Sequence, residues 1–170
     1  MNPENNFFEL PVFTRDGQFT ASYSEKGLAE LNFPVGRAPP RAAKREIIPA
    51  KIRAWHRTAE TALNNILAGR KPENLPPLDL AGTEFQKSVW NALRKISLGK
   101  TKSYGEIAQA IGRPRAIRAV GGACGANPVP VLVPCHRVLA ANKKPGGFSG
   151  GLDWKRKLLA HEGVNLPSAG

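Results

Sequence analysis

Ser103-Tyr104-Gly105-Glu106-Ile107-Ala108-Gln109-Ala110-Ile111-Gly112-Arg113-Pro114-Arg115-Ala116-Ile117-Arg118-Ala119-Val120-Gly121-Gly122-Ala123-Cys124-Gly125 reads as two short helices joined by a tight turn. Ser103 and Glu106 have capping-box spacing, in which each side chain satisfies an orphan backbone N–H at the helix start, and they open a helix through Ile111. Gly112-Arg113-Pro114 ends it, because proline lacks an N–H and disfavours helix in the residue before it. A second helix starts near Arg115, so the pair suggests a helix-turn-helix, a pattern that any helical hairpin can imitate.

The second helix has an unusual composition. Arg115 and Arg118 are followed by Gly121, Gly122, Ala123 and Gly125, while Ile117, Val120 and Cys124 form its apolar side. Each glycine costs roughly 1 kcal/mol of helix propensity but lets the backbone approach another surface closely. That surface is either the rest of the protein or a nucleic-acid backbone or groove, with Arg118 projecting towards it.

Working outward, Thr83-Glu84-Phe85-Gln86 is another capping box, and Phe85, Val89, Leu93 and Ile96 supply one apolar stripe of a helix. Upstream, Lys71–Leu80 contains Pro72, Pro76 and Pro77 and predicts an interdomain linker. Ile48, Ile52, Trp55, Ala59, Leu63 and Ile66 recur at steps of three and four, with Pro49 at the start and Gly69 after the end, which predicts an amphipathic helix. Val35–Arg45 is a Pro/Arg/Lys-rich connection. Phe7–Phe13, Gln18–Tyr23 and Leu28–Phe33, separated by Arg15-Asp16-Gly17 and Glu25-Lys26-Gly27, read as an antiparallel meander. The expected fold class is α/β (α+β). A small N-terminal α/β module with an antiparallel sheet spans 1–76, and a mainly helical C-terminal domain with a helix-turn-helix or winged-helix-like motif spans 77–170.

The 170 residues, 41% of them hydrophobic, suffice for a globular core, and no stretch approaches the roughly 20 apolar residues of a membrane span. Met1–Leu10 has no apolar signal region, so a cytoplasmic protein is expected, nucleoid-associated in a bacterium, with no membrane partner. Two cysteines in dissimilar surroundings make no disulfide framework. Of the net charge of +12, Phe85–Gly170 carries 14 Lys or Arg against three acids, whereas Met1–Glu84 carries 11 against ten. A positive field concentrated on one half attracts a polyanion, of which nucleic acid is the commonest, although a basic surface also serves solubility.

Val129–Val133 is β-branched and apolar, and Pro134-Cys135-His136-Arg137-Val138 follows, so a buried strand is expected to deliver a cysteine beside a base and a fixed cation. The thiolate is the nucleophile, and a neighbouring imidazole or cation lowers a cysteine pKa. Neighbours on an extended strand point to opposite sides, so contact between Cys135 and His136 needs a turn, which Pro134 permits, or a bridging water.

Arg118-Ala119-Val120-Gly121-Gly122, Asn127-Pro128-Val129-Pro130, Pro134-Cys135-His136-Arg137-Val138 and Gly146-Gly147-Phe148-Ser149-Gly150-Gly151-Leu152 together resemble the O6-alkylguanine-DNA alkyltransferases. The resemblance runs from about Gly82 to Gly163 and is weak before Pro72. It implies direct reversal of DNA damage by a single-turnover methylated-DNA–protein-cysteine S-methyltransferase. An alkyl group passes from O6-alkylguanine, less readily O4-alkylthymine, in double-stranded DNA to Cys135. It implies that His136 acts through water as the base, that Glu162 orients His136, and that Tyr104 gives its proton to the leaving guanine. Asn127 would be the hinge to the recognition helix, and Arg137 would serve structure near the site. Arg118 would fill the stack of a flipped-out base, with Arg115, Ala119, Gly122, Ser103 and Tyr104 on DNA in the minor groove. Tyr104, Cys124, Pro130, Val138, Phe148, Ser149 and Gly150 would line the substrate pocket, and Gly150 would be the position at which bulk excludes a large alkyl group. A monomer that can cluster on DNA is expected.

Phe148 stands where many members have Tyr, and Cys124 where the family usually has an apolar residue, so Cys124 is read as a small hydrophobe. The three histidines, His56, His136 and His161, and a cysteine-free N-terminal module imply no metal and no cofactor. Two other readings use the same residues. A cysteine hydrolase built on Cys135 and His136 needs an oxyanion hole and gains nothing from basic charge. A damage sensor without chemistry fits the helix pair and the charge, but the non-catalytic members of the family lack the cysteine.

Overall fold

The computed structural model describes residues 7–36 and 47–167; most of the Val35–Arg45 connection lies outside them. β1 (Phe8–Thr14), β2 (Gly17–Tyr23) and β3 (Leu28–Asn32) form the antiparallel meander, in that order. Alternation sends Val12, Phe19, Ala21, Tyr23, Leu28 and Leu31 inward, where α1 (Ala50–Leu67) covers them with Ile52, Ala59, Leu63 and Ile66. Gly69, just past α1, has a φ of +71° and lies so close to the His161 carbonyl that a Cβ has no room there.

The expected linker is strapped to the sheet. Leu28 N–H donates to Pro77 O at 2.8 Å and Asp79 N–H to Leu28 O at 2.9 Å, forming a parallel bridge between Leu28 and Leu78. Farther along β3, Leu31 N–H donates to Pro128 O at 2.9 Å. The edge of the small sheet is thereby occupied by the backbone of residues 77–79 and by Pro128. One buried cluster runs from Val12 and Phe19 through Trp90 and Val120 to Val138 and Leu158.

Both capping boxes form. Thr83 and Gln86 start α2 (Glu84–Leu93), and Ser103 and Glu106 start α3 (Tyr104–Ala110), with Glu106 N–H on Ser103 Oγ at 3.0 Å and Ser103 N–H on Glu106 Oε2 at 2.7 Å. The turn through Arg113-Pro114-Arg115 closes by Ala116 N–H to Arg113 O at 2.9 Å, so α4 runs from Ile117 to Gly125, two residues later than expected. Its buried side is Val120, Ala123 and Cys124; Ile117, expected there, is 49% exposed because the first turn of α4 extends past the core. β4 (Lys102–Ser103) pairs in parallel with β5 (Val138–Leu139), and α5 (Leu152–His161) closes the described chain. Among the described residues no helix is long and apolar enough to cross a membrane.

Val129–Val133 is not a strand. Pro128, Pro130 and Pro134 remove the donors a ladder needs, Val131 takes a φ of +73°, and the segment folds into a buried turn bridged between Pro130 and Val133. Asn127 ties the turn together: its Nδ2 donates to Val133 O at 2.8 Å and its Oδ1 accepts from Val129 N–H at 3.0 Å. A strand cannot be assembled here, but a rigid turn can.

Candidate active site

Out of that turn comes a 3-10 segment, Cys135–Arg137, started after Pro134 and closed by Arg137 N–H to Pro134 O at 3.1 Å. The turn, and not a strand end, sets the directions of its three side chains. Cys135 is 4% exposed at the wall of a cavity of about 860 Å³. His136 is fully buried, with Nε2 2.9 Å from Glu162 Oε1. Its Nδ1 is buried and has no protein partner among the described residues.

Glu162 is the C-cap of α5 and the hub of the site. Arg137 donates from Nε to its Oε2 at 2.9 Å and from an η nitrogen to its Oε1 at 2.8 Å, while the other η nitrogen donates to Ile96 O at 2.7 Å. Burial alone would raise the Glu162 pKa, but the hydrogen bonds from His136 and Arg137 outweigh it and bring it down to about 2. An ionised Glu162 accepts from His136, so Nε2 carries the proton and Nδ1 presents a lone pair. Burial lowers the His136 pKa and outweighs the opposing pull of Glu162, with the charges of Arg137 and Lys155 adding smaller contributions in the same direction. The imidazole is neutral at pH 7.

Burial pushes the Cys135 thiol up, opposed by a hydrogen bond from Asn127 and by the charge of Lys155. The resting group is a thiol poised to lose its proton to a base. Tyr104 on α3 is also raised, by burial and then by the neighbouring sulfurs, so its hydroxyl stays protonated. Cys124 is pushed up to about 12, chiefly by burial, which fits a small hydrophobe.

The cavity has two walls. One is the α4 side, with Arg115, Ile117, Arg118, Gly121, Cys124 and Gly125; the other is the loop Gly147-Phe148-Ser149, with Tyr104 and Cys135 also lining it. Ala119 and Gly122 are exposed on α4 outside the cavity, and Ser103 spends its side chain on the α3 cap. Pro130 and Gly150 line a separate groove of about 550 Å³ against Phe33 and Trp154, and Val138 lies in β5 beneath the site. A Cβ on Gly150 would stand 2.6 Å from the Phe33 ring, so the size gate expected at Gly150 faces the aromatic packing behind the loop and not the cavity. Lys155, which the sequence reading did not single out, is fully buried and donates from Nζ to Val138 O at 2.6 Å and Gly147 O at 3.2 Å. Burial lowers its pKa to about 8 against the charges of Cys135 and Cys124. Its spacing of three and four residues from the buried Leu158 and Leu159 was the available signal, since that places it on the inner face of α5.

Residues 84–164 match the family model described as 6-O-methylguanine DNA methyltransferase, DNA binding domain. A methylated-DNA–protein-cysteine methyltransferase of Methanosarcina acetivorans is 42% identical over 92% of this chain and 96% of its own length. One of Mycolicibacterium paratuberculosis is 51% identical over 63% of this chain and 65% of its own. Among solved structures, the Mycobacterium tuberculosis OGT in complex with DNA superposes with a TM-score of 0.75 at 38% identity, covering 93% of this chain and 94% of that one.

Proposed function

The chain belongs to the methylated-DNA–protein-cysteine methyltransferase family, and from that premise we propose that it repairs double-stranded DNA by moving the alkyl group of O6-alkylguanine onto Cys135. O4-alkylthymine is the poorer substrate. The observation that carries this reading is the buried His136–Glu162 pair next in sequence to Cys135, which opens onto a cavity lined by Arg118, Gly121 and Gly125.

His136 Nδ1 takes the Cys135 proton through water, and Glu162 stabilises the imidazolium that results. The thiolate attacks the alkyl carbon; the sulfur–carbon bond forms as the carbon–O6 bond breaks, and the electron pair leaves with guanine. Tyr104 supplies a proton to that leaving group and regains one from solvent as the imidazolium releases its own, while Ser149 and neighbouring backbone amides hold the O6 side of the base. The product is a thioether, which water does not cleave, so each molecule acts once. O6 lies inside the base pair, so the nucleotide is flipped out of the stack into the cavity. The glycine flank of α4 lets the helix enter the minor groove, Arg115, Ala119, Gly122 and Ser103 meet the backbone, and Arg118 fills the vacated stack. Residues 77–170 carry the chemistry, with 1–76 as their support. The protein works as a cytoplasmic monomer without metal or cofactor.

Incubation with a duplex containing one O6-methylguanine, followed by peptide mass spectrometry, tests the reading. One methyl group on Cys135 is expected, and none in Cys135→Ser, whose hydroxyl is far too weak an acid to supply an anion at pH 7. Transfer that persists in Cys135→Ser would remove the assignment. Arg118→Ala should slow repair of duplex far more than reaction with a free O6-alkylguanine base.

A further inference from the structure

Between Val138 and Gly147 the chain leaves the site and returns to it as a small lobe. Its base is pinched by Lys155, whose ammonium holds the carbonyls of both Val138 and Gly147, and its body is closed by Ala140 N–H to Lys144 O at 2.9 Å. At the tip, Asn142 and Lys143 lie side by side in the left-handed region, with φ of 59° and 57°. Asparagine tolerates that region, but lysine does not favour it. Two successive left-handed residues, with Lys144 N–H on Ala141 O at 3.4 Å, make a type I′ turn that holds the tip in one shape. The turn leaves Lys143 and Lys144 exposed at the tip. No acid occurs between Val138 and Leu152, and among the described residues neither lysine has an ion-pair partner.

We propose that this lobe is a second contact for the sugar-phosphate backbone of DNA, made by Lys143 and Lys144 across the cavity from Arg115 and Arg118. It rests on the reading that the cavity receives a nucleotide from duplex DNA. Gly147 is already in the cavity wall, and three residues of chain reach at most about 10 Å, so Lys144 stands within one or two nucleotides of whatever enters. Duplex DNA carries one negative charge per about 1.7 Å of axis, so a duplex seated over the cavity brings phosphates to both rims. The buried Lys155 fixes the lobe in place before DNA arrives, so little ordering is left to be done on binding. α4 then grips one side of the flipped nucleotide and the lobe the other.

The salt dependence of binding to an unmodified duplex tests this. Each phosphate neutralised contributes about 0.9 to the slope of log K against log salt. Lys143→Gln/Lys144→Gln should make the slope shallower by between about 1 and 2 and weaken binding roughly tenfold near 0.1 M salt. Lys26→Gln/Lys71→Gln removes the same charge from exposed positions of the N-terminal half and should leave the slope unchanged. The lobe variant should also lose more rate on damaged duplex than on free O6-benzylguanine. An unchanged slope, or an equal change in the control pair, overturns the proposal, as does an equal loss on duplex and free base. The slope is read on undamaged DNA, so a wild-type protein that forms no adduct at Cys135 would defeat the proposed function without touching this result.

Discussion

Arg137 grips both carboxylate oxygens of Glu162, Nε on Oε2 at 2.9 Å and an η nitrogen on Oε1 at 2.8 Å, behind the histidine that shares Oε1. The fork keeps Glu162 ionised and adds a positive charge beside His136. That charge opposes the pull of Glu162 on a proton at the imidazole. Burial, aided by the Arg137 charge, keeps the imidazole neutral, which is the state that accepts a proton from Cys135.

Arg137→Met should therefore move the acid limb of the rate profile to higher pH. His136 loses its base form as pH falls through its pKa, which lies below the usual 6.5, and removing the guanidinium raises that pKa. The variant also leaves a buried carboxylate with one partner fewer, at a cost of about 3 to 5 kcal/mol. Arg137→Lys keeps the charge without the fork, so it should hold the limb near its wild-type position while still losing stability. Transfer rates on O6-methylguanine duplex from pH 5 to 9 decide it, and an unmoved limb in Arg137→Met removes the electrostatic role.

Glu162 also sets the acid stability. Its folded pKa of about 2 lies below the unfolded value of 4.5, so the stabilisation is fully present above 4.5 and is lost as pH falls from there towards 2. The amount is on the order of 3 kcal/mol. Glu162→Gln should be less stable at pH 7 and show a flatter loss between pH 4.5 and 2 in urea-unfolding titrations. A wild-type slope in that window would mean that other carboxylates carry the acid sensitivity.

Gly146 holds the loop against Tyr104. Its φ is +68°, and a Cβ would stand 2.7 Å from the Tyr104 hydroxyl oxygen. Gly146→Ala combines a backbone strain of about 1 kcal/mol with a displaced tyrosine. Melting temperature should fall by a few degrees, while the transfer rate falls by a factor larger than that of Tyr104→Phe, because the wall moves as well as the hydroxyl. Equal rates in the two variants would confine the effect to the proton donor.

How far the sequence showed all this depends on how local each signal was. The capping boxes at Thr83 and Ser103, the meander and α1 were legible, because caps, turn residues and periodicity act within a few positions. The segment Val129–Val133 was misread as a strand, since β-branched composition spoke for extension while the three prolines and the Asn127 side chain determined a turn. Cys135, His136 and Glu162 could be named together only through resemblance; 26 residues separate His136 from Glu162, and no period links them. The fork from Arg137 to Glu162 and the reach of Lys155 to Val138 and Gly147 are long-range pairings of the same kind. Pro130 and Gly150 line the groove beside the cavity, since glycine and proline in a loop say that it turns, not which side meets which space.

The place of Gly150 bears on the last prediction, on the size of the alkyl group. The cavity of about 860 Å³ is at the large end for a small-molecule site, so free O6-benzylguanine should enter it and benzylate Cys135. Benzyl transfer is also the easier reaction, since the ring stabilises the carbon under attack. Gly125, at the end of α4, lines the cavity, and a Cβ there would meet nothing within 4 Å. Gly125→Trp can therefore project an indole into open space without disturbing the core, and it should depress benzyl transfer by at least tenfold more than methyl transfer. Gly150→Trp should behave differently. Its side chain would strike Phe33, which packs against both Phe148 and Trp154, so stability should fall and both substrates should suffer together. The ratio of benzyl to methyl transfer in the two variants, read by intact-protein mass spectrometry beside a melting curve, separates a gate from a structural contact. A selective loss of benzyl transfer in Gly150→Trp, with none in Gly125→Trp, would show that the large substituent enters from the Phe33 side.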